Sequence, residues 1–383
     1  MQIDRMDDSL IEVPRGLANV AVTDTAISDV RGLEGYYQYR EYSATELART
    51  ATLEEVWHLF LYGALPTPAE RSSFAMRLEE ARAGIDLGAL VDRVAEIAGT
   101  EVDPLHGLKA AWPLLAAQQG MRAVYDLDEE QRRHDALVLT AVVPDVLAGL
   151  WRREQDLAPL PAVSGRGVVA GYLERLTGRV PSAEDERALT AYLIAVIDHG
   201  LNASTFTARV IASTGADVAS ALAGALGSLS GPLHGGAPSR VLDSLDRIGS
   251  PSEIEPWIRA ELAAGRRLMG FGHAVYRTAD PRSQLLRDIA RGLGGSRIDL
   301  ALRFEAEAER ILAEAKAGRA LHANVEFYAS VVMERVGVPR EMFTPTFALA
   351  RAIGWSAHIL EQARDPKIFR PAARYVGPAL RRE

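Results

Sequence analysis

The sequence predicts an all-α protein, and two observations support that prediction. Helix-start signals recur along the chain, whereas the alternation of apolar and polar residues that marks a half-buried strand is scarce. Three residue pairs have the spacing of a capping box, in which side chains three residues apart bond each other's backbone amides. These pairs are Ser43 with Glu46, Thr52 with Glu55, and Thr67 with Glu70. Pro68 then occupies a first helical position, where proline is favoured.

Similar signals predict the later helices. They are expected from Ser182 to His199, over residues 217–229, from Asp280 through Ile289, over residues 299–317 and over residues 344–362. The segment 217–229 is rich in alanine and glycine, so we expect it to pack closely on another helix. Residues 20–30 are the best candidate for a short extended pair. Residues 157–167 lack periodicity and are predicted to form an irregular loop.

Composition narrows the class of protein. A chain of 383 residues is long enough for two domains, and its net charge of −8 argues against nucleic acid or an anionic membrane surface as the main partner. The longest apolar stretches fall short of a membrane span, and the N-terminal segment lacks the apolar core of a signal peptide. The absence of cysteine excludes disulfides, thiolate metal sites and cysteine nucleophiles. We therefore expect a soluble, cytoplasmic protein.

Arginine is the expected partner of any anionic ligand, because lysine occurs only at Lys109, Lys316 and Lys367. No phosphate-binding loop and no dinucleotide fingerprint is present. His358 and Glu361 share a helix face, but no third metal ligand stands near them in the sequence. We expect acid–base chemistry with neither a metal nor a cofactor.

His234 lies between Gly231 and Gly235 in the segment GPLHGG. Glycines on both sides predict a turn that lets a ligand approach closely. A histidine on such a turn can donate a hydrogen bond to a carbonyl that becomes an enolate, a contact worth about 2.7–4 kcal/mol in other enzymes. The alternative is a turn histidine that bonds its own loop.

His273 lies in the segment GFGHAVYRTADPR, residues 270–282. The GxG spacing before it suggests backbone amides open to a bulky ligand. Arg277 and Arg282 can make planar, bidentate contacts with phosphate or carboxylate. A solvated helix start with surface arginines is the alternative, and the concentration of charged and imidazole groups favours a functional site.

Glu326 follows Asn324, a plausible N-cap, so its carboxylate is expected in the first turn of a helix. The positive end of that helix would favour the charged form, and an ionised carboxylate aimed at a substrate methyl group is a reasonable general base. In isolation, Glu326 is better explained as an ordinary acidic residue of a first helical turn.

Four further polar residues are candidates for binding a small anion. His199 and Asn202 lie where one helix ends and the next begins at about Ala203. Arg351 is flanked by apolar residues inside a helix, so we expect it to be buried with an anionic partner. Arg370 near the C-terminus has no clear role from its local context.

Taken together, these segments resemble the citrate synthase family. The resemblance covers nearly the whole chain, from GLANVAVTDTAISDV (16–30) through DHGLNASTFTARV (198–210) to FTPTFALARAIGW (343–355). The segment GFGHAVYRTADPR resembles the family's signature pattern. The resemblance implies a large helical domain, residues 1–236 and 332–383, with a small helical domain, residues 237–331, inserted between its two parts. The site would lie in the cleft between the domains.

The resemblance also implies a role for each candidate. Glu326 would remove a proton from an acyl-CoA methyl group, His234 would stabilise the enol, and His273 would donate to the oxaloacetate carbonyl. The implied oxaloacetate-binding residues are His199, Asn202, Arg282, Arg351 and Arg370. Arg370 would reach the neighbouring subunit's site in a homodimer. The implied CoA-binding residues are Gly270, Phe271, Gly272 and Arg277.

Two departures from the family pattern leave the exact reaction open. Glu326 stands where most members have aspartate, and Ala323 replaces a usual proline, with no lysine closer than Lys316 for a CoA phosphate. The expected reaction joins acetyl-CoA, oxaloacetate and water into citrate and CoA. A 2-methylcitrate synthase using propionyl-CoA is the closest alternative, because one methylene changes binding by only about 1–3 kcal/mol. A homologue with impaired catalysis is the third.

Overall fold

The computed structural model describes residues 10–99, 101–161, 165–232, 234–235, 238–273, 275–315, 321–378 and 380. The described part is dominated by helices, which confirms the all-α prediction. The helices are α1 Ala44–Thr50, α2 Leu53–Tyr62, α3 Pro68–Ala83, α4 Leu87–Ala98, α5 Pro104–Gln119, α6 Glu129–Ala141, α7 Val143–Glu154, α8 Val168–Thr177, α9 Ala183–Val196, α10 Ala203–Ala212, α11 Val218–Leu229, α12 Pro238–Asp246, α13 Ile254–Ala263, α14 Pro281–Leu293, α15 Ser296–Ala315, α16 Val325–Arg335 and α17 Phe343–Gln362.

Helix starts follow the predicted caps closely. Thr52 and Thr67 form complete capping boxes with their glutamates, and Ser43 and Ser182 accept backbone amides at the starts of α1 and α9. Three predicted boundaries are wrong, one of them at the end of α9, which stops at Val196 rather than at His199. Helix α17 begins at Phe343 without a side-chain cap, and α15 begins at Ser296, three residues before the predicted start. Residues 316 and 317 lie outside the described residues.

The predicted extended pair is only partly right. The structure has a small antiparallel sheet in the order β1 Ser28–Arg31, β2 Tyr36–Tyr39, β3 Tyr42–Ser43. Only the end of the 20–30 segment enters it, and its partner lies beyond that segment, because β1 pairs with β2 rather than with residues 20–27. Residues 157–161 and 165–167 have no regular structure, as predicted, and residues 162–164 lie outside the described residues.

Helix α17 runs through the centre of the core and packs on α2, α5, α6, α7, α9, α10 and α11. Most of its residues are buried, including Trp355, which is fully buried. The small-residue helix α11 packs on α10, as predicted. A Cβ at Gly224 would lie 2.2 Å from Cδ1 of Ile211, which shows how closely the two helices approach.

Gly354 sets the position of α17 against the end of α9. A Cβ on Gly354 would lie 2.3 Å from the carbonyl oxygen of Ile197, a backbone atom that no rotamer change can move. Arg351, one turn earlier on α17, is thereby held close to the residues that follow α9.

We expect Gly354→Ala to lower the free energy of unfolding by about 1–3 kcal/mol, because the added methyl group forces one backbone away from the other. Chemical denaturation measures the change. Gly227→Ala is the matched control, since Gly227 is exposed in α11 and a Cβ there would meet nothing within 4 Å. That control is expected to be neutral or slightly stabilising, because alanine is the better helix former. Equal stability of both variants would contradict the close contact.

Residues Glu129–Glu154 form a 26-residue run that is long and apolar enough to cross a membrane by length and composition. This differs from the expectation that no stretch approaches a span, because α6 and α7 follow each other almost without interruption. Its apolar window is 83% buried inside the protein. The run therefore packs as core helices.

Helices α12 to α16 make many of their contacts with one another, and α14 and α16 also contact α9. The predicted division into a small domain, residues 237–331, and a large domain, residues 1–236 and 332–383, stays a prediction. What matters for the site is that the N-termini of α10, α14 and α16 converge near the C-terminal end of α9.

Candidate active site

A cavity of about 860 Å³ opens where these helix ends meet. It brings together seven of the residues singled out from the sequence, which lie far apart along the chain. They are His199, Asn202, His234, His273, Arg282, Glu326 and Arg351. These seven residues supply three imidazoles, two guanidiniums, one side-chain amide and one carboxylate.

His234 occupies a turn after α11, and its ring is anchored to the start of α10. The backbone N–H of Ser204 donates to Nε2 over 3.3 Å, and the Ser204 hydroxyl lies 2.8 Å from the same nitrogen. An accepting Nε2 places the ring proton on Nδ1 of the neutral imidazole. Burial, with the nearby Arg351 charge, lowers the pKa of His234. His234 is therefore a neutral donor at pH 7.

His273 is held by the opposite ring nitrogen. Its Nδ1 accepts the backbone N–H groups of Val275 and Tyr276 at 2.9 and 3.1 Å, so the proton of the neutral ring sits on Nε2. Nε2 lies 3.1 Å from Nη2 of Arg282. Burial and the Arg282 charge lower the pKa of His273 to about 4. Because Nη2 of Arg282 can only donate and Nε2 carries the ring proton, two donors lie side by side here, and a ligand oxygen between them could accept from both.

Arg282 is buried at the start of α14, and Asp280 fixes its orientation. The Asp280 carboxylate caps α14 and accepts from Nε and Nη2 of Arg282 at 3.0 and 2.8 Å. It also accepts the backbone N–H of Val325 at 3.2 Å, which ties α14 to the start of α16. Burial opposes the charge of Arg282, but Asp280 outweighs it and raises the pKa of the guanidinium. The cation is permanent.

Glu326 lies in the first turn of α16, and Asn324 accepts its backbone N–H, as predicted. The expectation that the helix end keeps the carboxylate fully ionised is wrong. Burial raises the pKa of Glu326 to about 7, against the opposing charge of Arg282. The loss of hydration destabilises the charged carboxylate more than the positive helix end stabilises it. A carboxyl group with this pKa is suited to accept and return a proton at neutral pH.

Arg351 is buried on α17, 4% exposed, as predicted, and its expected anionic partner is not a carboxylate of the described residues. Within the described residues, its Nε and Nη1 atoms have no hydrogen-bond partner. Burial lowers the pKa of Arg351, and the neighbouring Asp198 charge partly offsets this effect. A buried guanidinium with free donors beside a cavity is equipped to bind a carboxylate that enters from outside.

His199 and Asn202 line the cavity between α9 and α10. Nε2 of His199 lies 2.9 Å from the hydroxyl of Tyr276, and burial with two arginine charges holds its pKa well below the ordinary value. Asn202 is the N-cap of α10, and its side-chain oxygen accepts the backbone amides of Ser204 and Thr205. Its predicted contact with a substrate stays a prediction.

Two residues that support the site, Asp198 and Tyr276, were not predicted from the sequence. Asp198 is fully buried and accepts hydrogen bonds from Nε2 of His358, from the Ser28 hydroxyl and from the backbone of Gly200. Burial opposes the ionisation of Asp198, but the neighbouring His358 outweighs this effect, so the pKa of Asp198 is lowered. Tyr276 contacts both His199 and His273. The only sequence signal for Asp198 and Tyr276 was that each lies within three residues of a candidate histidine.

The four predicted CoA-binding residues do not line this cavity. Gly270 and Gly272 adopt the left-handed backbone, with φ of 83° and 85°, but the amide of Gly272 donates to the carbonyl of His322. The expectation of an amide open to a ligand is therefore wrong at Gly272. Phe271 packs in an aromatic cluster with Phe304 and Phe327.

Arg277 is exposed, and its backbone N–H donates to Gly32 in the β1–β2 turn. Arg370 is also exposed, in the extended segment that follows α17. Neither lies in the cavity, so their predicted contacts with CoA and with a neighbouring site stay predictions. Among the described residues, no group of three or more histidine, aspartate or glutamate side chains could hold a metal ion.

Comparison with known proteins identifies the family. The family model for the C-terminal domain of citrate synthase matches residues 16–372. The chain is 38% identical to a putative citrate synthase 2 of Mycobacterium tuberculosis over 376 residues, which cover 96% of this chain and 93% of the relative. It is 32% identical to a 2-methylcitrate synthase of Shewanella oneidensis over 379 residues, 98% of each chain.

A solved structure agrees with this result. Citrate synthase from Thermoplasma acidophilum, in a ternary complex with carboxymethyl coenzyme A and oxaloacetate, superposes with a TM-score of 0.85 at 28% identity. The match covers 97% of this chain and 98% of that one. On the family model, the relatives and the fold together, this chain belongs to the citrate synthase family.

Proposed function

We propose that this protein condenses acetyl-CoA with oxaloacetate and water to give citrate and CoA. The observation that carries the proposal is the cavity itself, which is lined by two neutral histidines, with their protons on opposite ring nitrogens, and by a carboxyl group of raised pKa. A carbon–carbon bond formation through an enol needs one base and two hydrogen-bond donors, and the cavity contains them.

The buried arginines would bind oxaloacetate. Arg282 and Arg351 offer charge-assisted hydrogen bonds to its two carboxylates, and His199 offers a further polar contact. The ketone oxygen of oxaloacetate would then lie at the point faced by Nε2 of His273 and Nη2 of Arg282. Both groups polarise the ketone carbon.

Glu326 would begin the reaction on the second substrate. Its carboxylate takes a proton from the methyl group of acetyl-CoA, and Nδ1–H of His234 donates to the thioester oxygen as charge develops there. The enol carbon attacks the ketone carbon, and the ketone oxygen receives the Nε2 proton of His273, which is replaced by the proton that Glu326 took from the methyl group. Water then hydrolyses the citryl-CoA thioester, which releases citrate and CoA.

Free CoA thiol released from oxaloacetate is the direct test, with acetyl-CoA and propionyl-CoA compared as kcat/KM. The chain contains no cysteine, so no protein thiol contributes to the signal of a thiol reagent. A preference for acetyl-CoA supports the proposal. A preference for propionyl-CoA supports 2-methylcitrate synthesis, which the Shewanella oneidensis relative makes the second candidate. No turnover with either donor would overturn both and favour an impaired homologue.

The pH dependence gives a separate check. Glu326 must be ionised to act as a base, and burial raises its pKa to about 7. The pKa of His273, at about 4, keeps that ring neutral through this range. Below pH 7, kcat/KM is therefore expected to fall about tenfold per pH unit through a single ionisation. Rates measured from about pH 5 to 9 test this, and an acid limb near the ordinary value of glutamate would contradict it.

The remaining expectations belong to the same proposal. The enzyme would work as a homodimer in which Arg370 reaches the neighbouring site, in the cytoplasm, without a cofactor or metal. Domain closure on oxaloacetate would exclude water during the condensation.

A further inference from the structure

One tyrosine contacts two of the histidines that line the cavity. Tyr276 is 4% exposed, three residues after His273. Its hydroxyl lies 2.9 Å from Nε2 of His199, and its backbone N–H donates to Nδ1 of His273 over 3.1 Å. The three rings pack together, with centroids 5.4 Å apart for Tyr276 and His199 and 4.9 Å apart for Tyr276 and His273.

The hydroxyl decides where the proton of His199 sits. Within the described residues, the Tyr276 hydroxyl has no hydrogen-bond partner besides Nε2 of His199. A buried phenol must donate its proton to avoid an unsatisfied donor, so Nε2 of His199 accepts. The remaining proton of the neutral imidazole then sits on Nδ1, at the other edge of the ring.

Resting on the proposed function, we infer that Tyr276 is a positioning residue for oxaloacetate binding. It fixes the tautomer and orientation of His199 through its hydroxyl and helps to fix those of His273 through its backbone amide. The aromatic ring also lies under the Arg282 guanidinium, 5.8 Å from centroid to Cζ. Tyr276 thus connects three of the groups that would surround the substrate without itself touching the reacting atoms.

Tyr276→Phe tests the role of the hydroxyl, because the variant keeps the ring and the backbone amide. We expect KM for oxaloacetate to rise about 3- to 10-fold, the equivalent of one hydrogen bond, with kcat within about twofold of the wild type. The matched control is Tyr37→Phe. The Tyr37 hydroxyl is also buried, but it donates to the carbonyl of Ala195 while its ring lies 5.9 Å from His199. This control is expected to lose stability without a change in KM.

A double-mutant cycle with His199→Asn locates the effect. If Tyr276 acts through His199, adding Tyr276→Phe to His199→Asn changes KM no further. The inference would be overturned if KM rose in the double mutant by the full factor seen for Tyr276→Phe alone. An equal rise of KM in Tyr37→Phe would also overturn it.

Nitrogen-15 NMR of the histidine rings gives a readout that needs no turnover. The wild type is expected to show His199 protonated at Nδ1, and Tyr276→Phe is expected to change the Nε2 resonance of that ring. An unchanged His199 spectrum would refute the inference even in an active enzyme. Conversely, an inactive wild type would remove the proposed function and leave the spectra to decide this inference separately.

Discussion

Replacing Glu326 by glutamine is expected to lower kcat by about 10²–10⁴-fold, the usual contribution of a general base. The amide is nearly isosteric with the protonated carboxyl group but has no basic oxygen at neutral pH. Steady-state release of CoA thiol measures the loss. Oxaloacetate binding, followed by calorimetry, is expected to remain, because the arginines that would hold it are untouched.

The same variant is expected to be more stable than the wild type above pH 7. Burial raises the folded-state pKa of Glu326 from 4.5 to about 7, so the wild type loses stability as the pH rises through that interval. The shift corresponds to about 3 kcal/mol, and glutamine never bears the charge. Denaturation at several pH values should show a difference in the free energy of unfolding between the variant and the wild type. This difference is expected to appear above pH 4.5 and to reach its full size above pH 7. Retained activity, or an equal pH dependence of both proteins, would contradict the assignment of the base.

Arg351→Met is expected to separate binding from stability. Loss of a buried charged donor should weaken oxaloacetate binding by about 2–5 kcal/mol, which is roughly 30- to several thousand-fold in Kd. The free energy of unfolding should stay unchanged or rise, because the variant removes a buried charge whose Nε and Nη1 have no hydrogen-bond partner within the described residues. Calorimetric titration and denaturation measure the two effects.

Arg209→Met is the contrasting variant for stability. Arg209 is 2% exposed, and it pairs with Glu361 and donates to Gln362 at 2.9 Å. Removing it leaves a carboxylate without its buried partner, so we expect a loss of about 3–5 kcal/mol. If Arg351→Met were destabilised to the same degree, Arg351 would be a structural residue rather than a ligand-binding one.

Much of this site could be predicted from the sequence, because the signals were local. Glycines around His234, the clustered charges after His273 and the Asn324 cap each report on a few neighbouring residues. Helix starts were predicted well for the same reason, since a cap and its amide lie within four residues. The start of α17 was missed because it has no side-chain cap and directly follows a 3-10 turn at Arg340–Met342.

The supporting residues could not be predicted, because their partners are distant in the sequence. Asp198 pairs with His358 across 160 residues, and Tyr276 reaches His199 across 77. The pKa of Glu326 was misjudged for a related reason. Proximity to a helix start is visible in the sequence, whereas the degree of burial depends on α14, α17 and the rest of the fold.

The backbone contact at Gly354 has a consequence for how such a protein tolerates sequence divergence. The close approach of Gly354 to the main-chain carbonyl of Ile197 helps to set the separation of Arg351 and His199, and this contact involves no side chain. We therefore expect large hydrophobic residues around α17 to tolerate exchange, with volume roughly kept, before Arg351 and His199 move apart. The arrangement of these two cavity residues would in this way change less than the packing of the core around them.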